Sequence, residues 1–142
     1  MTAKEYLGQA YRLDQRINSK LEQVMSLRDL ATKATSTLSD VAPSGTRNVH
    51  RMGDIIVKIV DLENEINRDI DNLVDLKREM VSVIKAVTDP ELQTLLELRY
   101  LCFKSWEQIA VEMEYSIHHL YKLHNTALGA CEIHLKHDTK SH

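Results

Sequence analysis

Four side chains near the C-terminus combine hydrogen-bonding groups with a single positive charge: His118, Tyr121, Lys122 and Asn125. At about 3.6 residues per turn, these positions share one face of a helix. Ser116 precedes them and suits the N-cap position, because its hydroxyl can accept a hydrogen bond from a free backbone N–H of the first turn. A polar face that begins at a helix N-terminus is the geometry of a recognition helix in the DNA major groove, and helix N-termini also favour phosphate.

Histidines are concentrated at this end of the chain, since six of the seven fall between His118 and His142. His118, His119 and His124 lie in or beside the predicted recognition face, and an ordinary histidine titrates near pH 6.5. We therefore expect DNA binding to strengthen at mildly acidic pH.

The residue types of an enzyme active site do not come together in the sequence. It has no nucleophile beside a base, no paired carboxylates in an apolar setting and no glycine-rich phosphate loop. Cys131, His134 and His137 recur every three residues, but successive threes drift around a helix and no CxxC pair accompanies them. We expect no catalytic activity, no cofactor and no metal site, and interpret this run as the polar end of a helix.

Capping signals predict the helices that would position the recognition face. Ser105 and Gln108 have the spacing of a capping box, which begins a short helix that ends near Met113. Upstream, Asp89 suits an N-cap and Pro90 the first position of a leucine-rich helix. The sequence therefore predicts a three-helix module over residues 89–135, with the recognition helix at 116–131 and a disordered tail at 136–142.

Residues 95–128, LLELRYLCFKSWEQIAVEMEYSIHHLYKLHNTAL, resemble region 4 of bacterial sigma factors. That region has a Leu-rich "LRxRY" helix, then "S-x-x-x-I-A", a turn and "S-x-x-x-V/L". The whole chain resembles a family of sigma-like regulators from phages and integrative elements, catalogued as a domain of unknown function. The resemblance implies a helix-turn-helix in which base-reading and phosphate-touching positions are occupied as follows: Ser116, His118, Tyr121 and Lys122, with His119 and Asn125 beside them.

Two residues depart from the sigma-factor pattern. Glu114 stands at the turn position that is usually glycine, so it must accept a costly positive φ or the turn must differ. Lys122 is the one strong cation on a face where sigma factors carry several arginines. The resemblance therefore implies weak DNA affinity unless the protein dimerises or binds a partner.

The N-terminal part has the pattern of two long helices. Apolar residues recur at spacings of three and four from Thr2 to about Ala34, and residues 35–53 collect turn-forming types that predict a long loop. From Asp54 to Val87, apolar residues recur every seven positions, with Asp69 in a companion position. We predict an antiparallel helical hairpin or coiled-coil arm over residues 1–88; the pattern leaves open whether its seam is buried within one chain or between two copies.

The loop at 35–53 carries its own basic patch, formed by Arg47, His50 and Arg51. A second DNA contact would use such a patch, but loops at the surface are commonly charged for solvation alone. We interpret the patch as a solvated loop.

Composition agrees with an all-α fold. Of 142 residues, 27% are charged and only four are glycine and two proline, which is typical of long helices. The net charge of −3 excludes a general basic field, so any DNA contact must be local. Two distant cysteines, Cys102 and Cys131, are interpreted as reduced, buried or semi-buried thiols. Without an apolar leader or spanning stretch, we expect a cytoplasmic protein with no membrane contact.

Two hypotheses of different classes follow. The favoured one is a DNA-binding transcriptional regulator of a phage or mobile element, which binds double-stranded DNA, forms a homodimer through its N-terminal helices and has host RNA polymerase as a candidate partner. The alternative is a coiled-coil adaptor or inhibitor that docks on a host protein such as RNA polymerase or a defence complex. The negative net charge and the sparse basic residues on the recognition face support the alternative.

Overall fold

The structure is a computed structural model that describes residues 1–38 and 45–140, and these are helical throughout apart from short connections. An all-α fold is thereby confirmed. In chain order the elements are α1 (Ala3–Leu38), α2 (Gly45–Lys85), α3 (Pro90–Leu96), a π-helical turn (Glu97–Leu101), α4 (Trp106–Met113) and α5 (Ile117–Lys140).

The expected loop at 35–53 is largely helical. α1 continues to Leu38 and α2 already begins at Gly45, so only residues 39–44 of that segment lie outside the described part of the chain. Turn-forming residues lower helix propensity only modestly, and extending an existing helix is easier than starting one. The side chain of Arg47 lies outside the described residues, whereas His50 and Arg51 are exposed on α2.

The chain divides into two compact units, residues 14–72 and residues 1–13 with 73–142. This division differs from the boundary at residue 88 that the sequence suggested. The first turns of α1 and the last turns of α2 belong with α3 to α5, because their apolar side chains share one core with those helices. That core has these buried members: Ala3, Leu7, Ala10, Met80, Val83, Ile84, Val87, Leu92, Leu96, Tyr100, Ala127 and Cys131.

Within residues 14–72, α1 and α2 bury each other's apolar stripes. Ile17 and Val24 on α1 and Leu62 and Ile66 on α2 are each less than 8% exposed. The heptad seam is thus occupied within one chain along this stretch. Asp69, the acidic residue in that seam, accepts a hydrogen bond from the Lys20 ammonium at 2.6 Å, with both side chains about five-sixths buried.

A second ion pair joins Arg28 on α1 to Glu63 on α2 at 2.6 Å. As the residue number rises along α1, the partner's number falls along α2. The Lys20 pair lies nearer the interior and matters more, since a partly buried charge without its partner is costly to fold. The exposed Arg28 pair contributes little.

Local capping follows the sequence signals closely. The Asp89 carboxylate accepts from the Glu91 N–H at 2.9 Å, and Pro90 occupies the first turn of α3. Ser105 and Gln108 form the complete capping box of α4. The π-helical turn was not predicted. It ends at Leu101, and Phe103, two residues later, has a positive φ of 58° and redirects the chain toward α4.

A small second core holds α3, α4 and α5 together. Leu95, Ile109 and Leu120 are fully buried in it, one from each helix. Partly buried side chains such as Trp106, Met113 and Leu123 pack around these three, so truncating one of the three leaves a cavity in a packed environment.

Truncating the middle member of this core should therefore destabilise the module. For Ile109→Ala we expect the free energy of unfolding to fall by about 2–5 kcal/mol, measured by urea denaturation. Val111→Ala is the matched control, because Val111 lies on the same helix and is 79% exposed; its effect should stay within about 0.5 kcal/mol. Equal effects of the two changes would contradict this packing.

Candidate nucleic-acid interface

The six residues predicted to touch DNA all lie exposed at the start of α5. Ser116 caps the helix, since its Oγ accepts a hydrogen bond from the His119 N–H at 3.1 Å. The other members of the set are exposed within the first nine residues of the helix: His118, His119, Tyr121, Lys122 and Asn125. The structure therefore brings the predicted residues together at one end of α5.

The opposite side of α5 is packed. Leu120 and Ala127 are fully buried, and Leu123 and Leu128 are half-buried. Because this side is held by α3 and α4, the outer side of the helix is the one presented to solvent.

The turn before α5 depends on Glu114. This residue adopts the left-handed conformation, with φ 59° and ψ 41°, and its N–H donates to the Ala110 carbonyl to close α4. A non-glycine residue in this region is strained by roughly 1–2 kcal/mol, so the turn takes the costly positive φ rather than a different shape.

An aromatic cluster beside the polar face was missed by sequence reasoning. The Trp106 ring meets the ring of Tyr121 edge-on at 5.2 Å and that of His124 edge-on at 4.8 Å. The Arg99 guanidinium lies over the same tryptophan ring at 4.8 Å and donates to the Lys104 carbonyl at 2.9 Å. Trp106 therefore holds the ring of Tyr121 against α4, while Tyr121 as a whole is 46% exposed.

His124 corrects one expectation. It is 7% exposed and hydrogen-bonded to the Tyr100 hydroxyl at 2.6 Å, so it belongs to the interior and not to an exposed set with His118 and His119. Burial, reinforced by the positive charges of Lys4 and Arg99, lowers the pKa of His124 to about 4. This histidine stays neutral at mildly acidic pH and cannot supply the charge that we expected there.

Tyr100, its partner, is protonated. Burial raises the pKa of Tyr100 to about 12, although the nearby Arg99 acts in the opposite direction. At neutral pH the imidazole is neutral and the phenol is protonated, so the Tyr100 hydroxyl and Nε2 of His124 can form one hydrogen bond. Which of the two groups donates depends on the tautomer of the histidine. The pair is therefore a satisfied buried polar contact between the π-helical turn and the middle of α5.

Cations missing from α5 are supplied nearby by other elements. Lys4 and Arg12 on α1 and Arg99 on the π-helical turn line a cavity that Tyr121 and Asn125 also line. The spacing of Lys4 and Arg12 places them on one face of α1, a signal present in the sequence. That α1 would pack beside α5 was not visible in it.

The two cysteines differ in their exposure. Cys131 is fully buried, and burial raises the pKa of its thiol to about 11. Cys102 is exposed at the end of the π-helical turn, where a buried or semi-buried thiol had been expected. Among the residues that the structure describes, no three His, Cys, Asp or Glu side chains gather as a metal site would require. The described helices likewise include none apolar and long enough for a membrane span.

The buried histidine makes a specific prediction for stability against pH. Because its pKa is lower in the folded chain than the ordinary 6.5, the unfolded chain takes up the proton first. The stability that neutral His124 contributes to the folded chain is fully present above pH 6.5 and is lost as the pH falls toward 4. Between pH 7 and 4.5 the free energy of unfolding of the native chain should fall by about 2 kcal/mol more than that of the His124→Gln variant. Urea denaturation at each pH measures both.

The control for this experiment is His118→Gln, which changes an exposed histidine on the same helix. It should keep the acid sensitivity of the native chain. If His124→Gln were as acid-sensitive as the native chain, the buried neutral histidine would be refuted.

Comparison with known proteins identifies a family. Residues 32–132 match the family described as "Protein of unknown function (DUF1492)". No curated protein and no solved structure matches the chain. The matched region runs from the end of α1 into α5 and includes Trp106 and the predicted DNA-contacting residues, whereas Lys4 and Arg12 lie outside it. Since the match covers more than half of the sequence, the chain belongs to the DUF1492 family.

Proposed function

We propose that this protein is a DNA-binding transcriptional regulator in which α4 and α5 form a helix-turn-helix. The observation that carries the proposal is the two-sided α5, buried on one side and capped by Ser116, with a cluster of exposed polar side chains in its first turns. A short α4 and a tight turn at Glu114 precede it. In this geometry the second helix enters the major groove and its first turns reach the base edges.

The charge distribution supports a local contact with DNA. The chain has a net charge of −3, so it lacks long-range attraction to phosphate. Lys122 is exposed on α5, and the capped N-terminus of the helix adds favourable N–H groups. Phosphate contacts of this kind would fix the register, while Asn125 and His118 offer hydrogen bonds to base edges. The assignment to a phage or mobile element rests on the resemblance to sigma-like regulators.

Gel-shift titration with the promoter region beside the protein's own gene tests this proposal. Lys122→Ala should weaken binding and reduce the slope of log K against log salt by about one, because one phosphate contact is lost. Tyr121→Phe should weaken binding without changing that slope, since it removes a hydroxyl and keeps the ring packed on Trp106.

Lys85→Ala serves as the control for charge, because Lys85 is an exposed lysine at the end of α2. Its binding and salt slope should equal those of the native chain. Binding indifferent to both α5 variants would refute the assigned face, and no binding to any duplex at low salt would refute the function.

Self-association through the long helices would supply the second half-site contact. Four exposed aliphatic residues within residues 14–72 follow one stripe of α2, separate from the seam that faces α1: Val49, Ile56, Val60 and Ile70. Apolar stripes of this kind commonly mark protein contacts. Dimeric regulators place their recognition helices about one DNA turn apart, so pairing along α2 fits the proposed function.

Light scattering on the purified chain measures this directly. We expect a dimer for the native protein and a shift to monomer for Val60→Glu, which puts a charge into the apolar stripe. Asn72→Glu adds the same charge at an exposed position on another face of α2 and should leave the dimer intact. A native monomer that binds no DNA would instead favour the adaptor hypothesis, with the stripe docking on a host protein.

A further inference from the structure

A cavity of about 660 Å³ opens beside the aromatic cluster, within the unit formed by residues 1–13 and 73–142. Its walls come from α1, the π-helical turn and the start of α4, and from Tyr121, His124 and Asn125 on α5. Its volume falls within the range of roughly 300–1,000 Å³ that is common for small-molecule sites. DNA recognition through the outer side of α5 does not require such a concavity.

The cavity collects positive charge in an acidic protein. Lys4, Arg12 and Arg99 line it, and none of its lining residues is acidic. Among the described residues, no carboxylate forms an ion pair with any of the three. The positive charges of Lys4 and Arg99 act on His124, which also lines the cavity, and contribute to its lowered pKa. Three unpaired cations around one concavity favour an anionic ligand.

Aromatic rings form the rest of the walls. Trp106 and Tyr121 meet edge-on at 5.2 Å on one side, and Tyr11 and Phe103 meet edge-on at 5.6 Å on another. Tyr11 and Tyr121 are each nearly half exposed, so part of each residue is open to solvent beside the cavity. Stacking on such rings suits a planar heterocycle, and the Asn125 amide at the rim can hydrogen-bond to its edge.

We propose that this cavity binds a nucleoside phosphate, with the phosphate among Lys4, Arg12 and Arg99 and the base against the aromatic walls. Guanidinium groups match phosphate oxygens in geometry and charge. Arg99 is already oriented by its contacts with Trp106 and Lys104, so little ordering is needed when the ligand binds. The site shares Tyr121 and Asn125 with the proposed duplex contact, but its three cations lie on α1 and the π-helical turn, so a nucleotide can occupy it without DNA.

Trp106 provides the measurement, because it is the only tryptophan in the chain and lies in the cavity wall. The full chain is titrated, without DNA, with a panel of ribonucleoside mono-, di- and triphosphates while tryptophan emission is recorded. At least one nucleotide should give a saturable change. The corresponding nucleoside and inorganic phosphate should each bind at least about tenfold more weakly, because each offers only half of the contacts.

Arg12→Ala should weaken binding of that nucleotide by at least about tenfold, since a hydrogen bond to a charged group is removed. Arg12 is exposed, so the variant should fold, as circular dichroism would verify. Arg16→Ala is the control, because Arg16 is exposed one turn further along α1 and does not line the cavity. Its affinity should equal that of the native chain.

Three results would overturn the proposal. The first is that no nucleotide changes the Trp106 emission, and the second is that Arg12→Ala binds as tightly as the native chain. The third is that only duplex DNA changes the emission, which would assign the three cations to the DNA backbone. Because these titrations need no duplex, a protein that fails to bind DNA could still bind the nucleotide.

Discussion

The hydrogen bond between Tyr100 and His124 joins the π-helical turn to the middle of α5. Both groups are buried, and a buried polar group without a partner is costly, so each requires the other in place. Trp106 packs edge-on against the imidazole, and Arg99 lies over Trp106. The rotation of α5 about its own axis is therefore set by this contact, and with it the direction in which Tyr121, Lys122 and Asn125 point.

The π-helical turn makes this contact possible. A turn with i→i+5 hydrogen bonds inserts about one residue relative to an α-helix, which rotates the residues that follow it. Here the Cys102 N–H donates to the Glu97 carbonyl, five residues earlier, and the Lys104 N–H donates to the Leu98 carbonyl, six residues earlier, just after the turn. The turn places Tyr100 in the interior and Arg99 beside Trp106, and Phe103 then reverses the backbone with a positive φ. Such turns are rare and often lie at functional sites. The position of this turn beside both the polar face and the cavity fits that tendency.

Local signals in the sequence predicted the helix starts well. Asp89, Ser105 and Ser116 each cap the helix that their spacing indicated, because a capping side chain acts within three residues of itself. Glu114 takes the first of the two alternatives that the sequence left open, a positive φ rather than a different turn. Several of the apolar heptad positions of α2 are buried, among them Leu62, Ile66 and Met80. Asp69 in that seam has its partner in Lys20.

Long-range placement was not predictable in the same way. An amphipathic stripe tells which side of α1 is buried but not against what, so the position of Lys4 and Arg12 beside α5 was missed. The π-helical turn was also missed, because no particular residue composition marks such a turn in a sequence. His124 was within reach of the sequence, since it follows Leu120 by four residues and precedes Cys131 by seven, which puts it on the packed side of α5.

The central claim is that the outer side of α5 is the surface that meets duplex DNA. The most direct test is a ¹H–¹⁵N correlation spectrum of the full chain during titration with a duplex from the promoter region beside its gene. The account predicts shifts concentrated in residues 116–126, with residues 54–85 nearly unchanged. Shifts concentrated in α2, or none at saturating duplex, would contradict it.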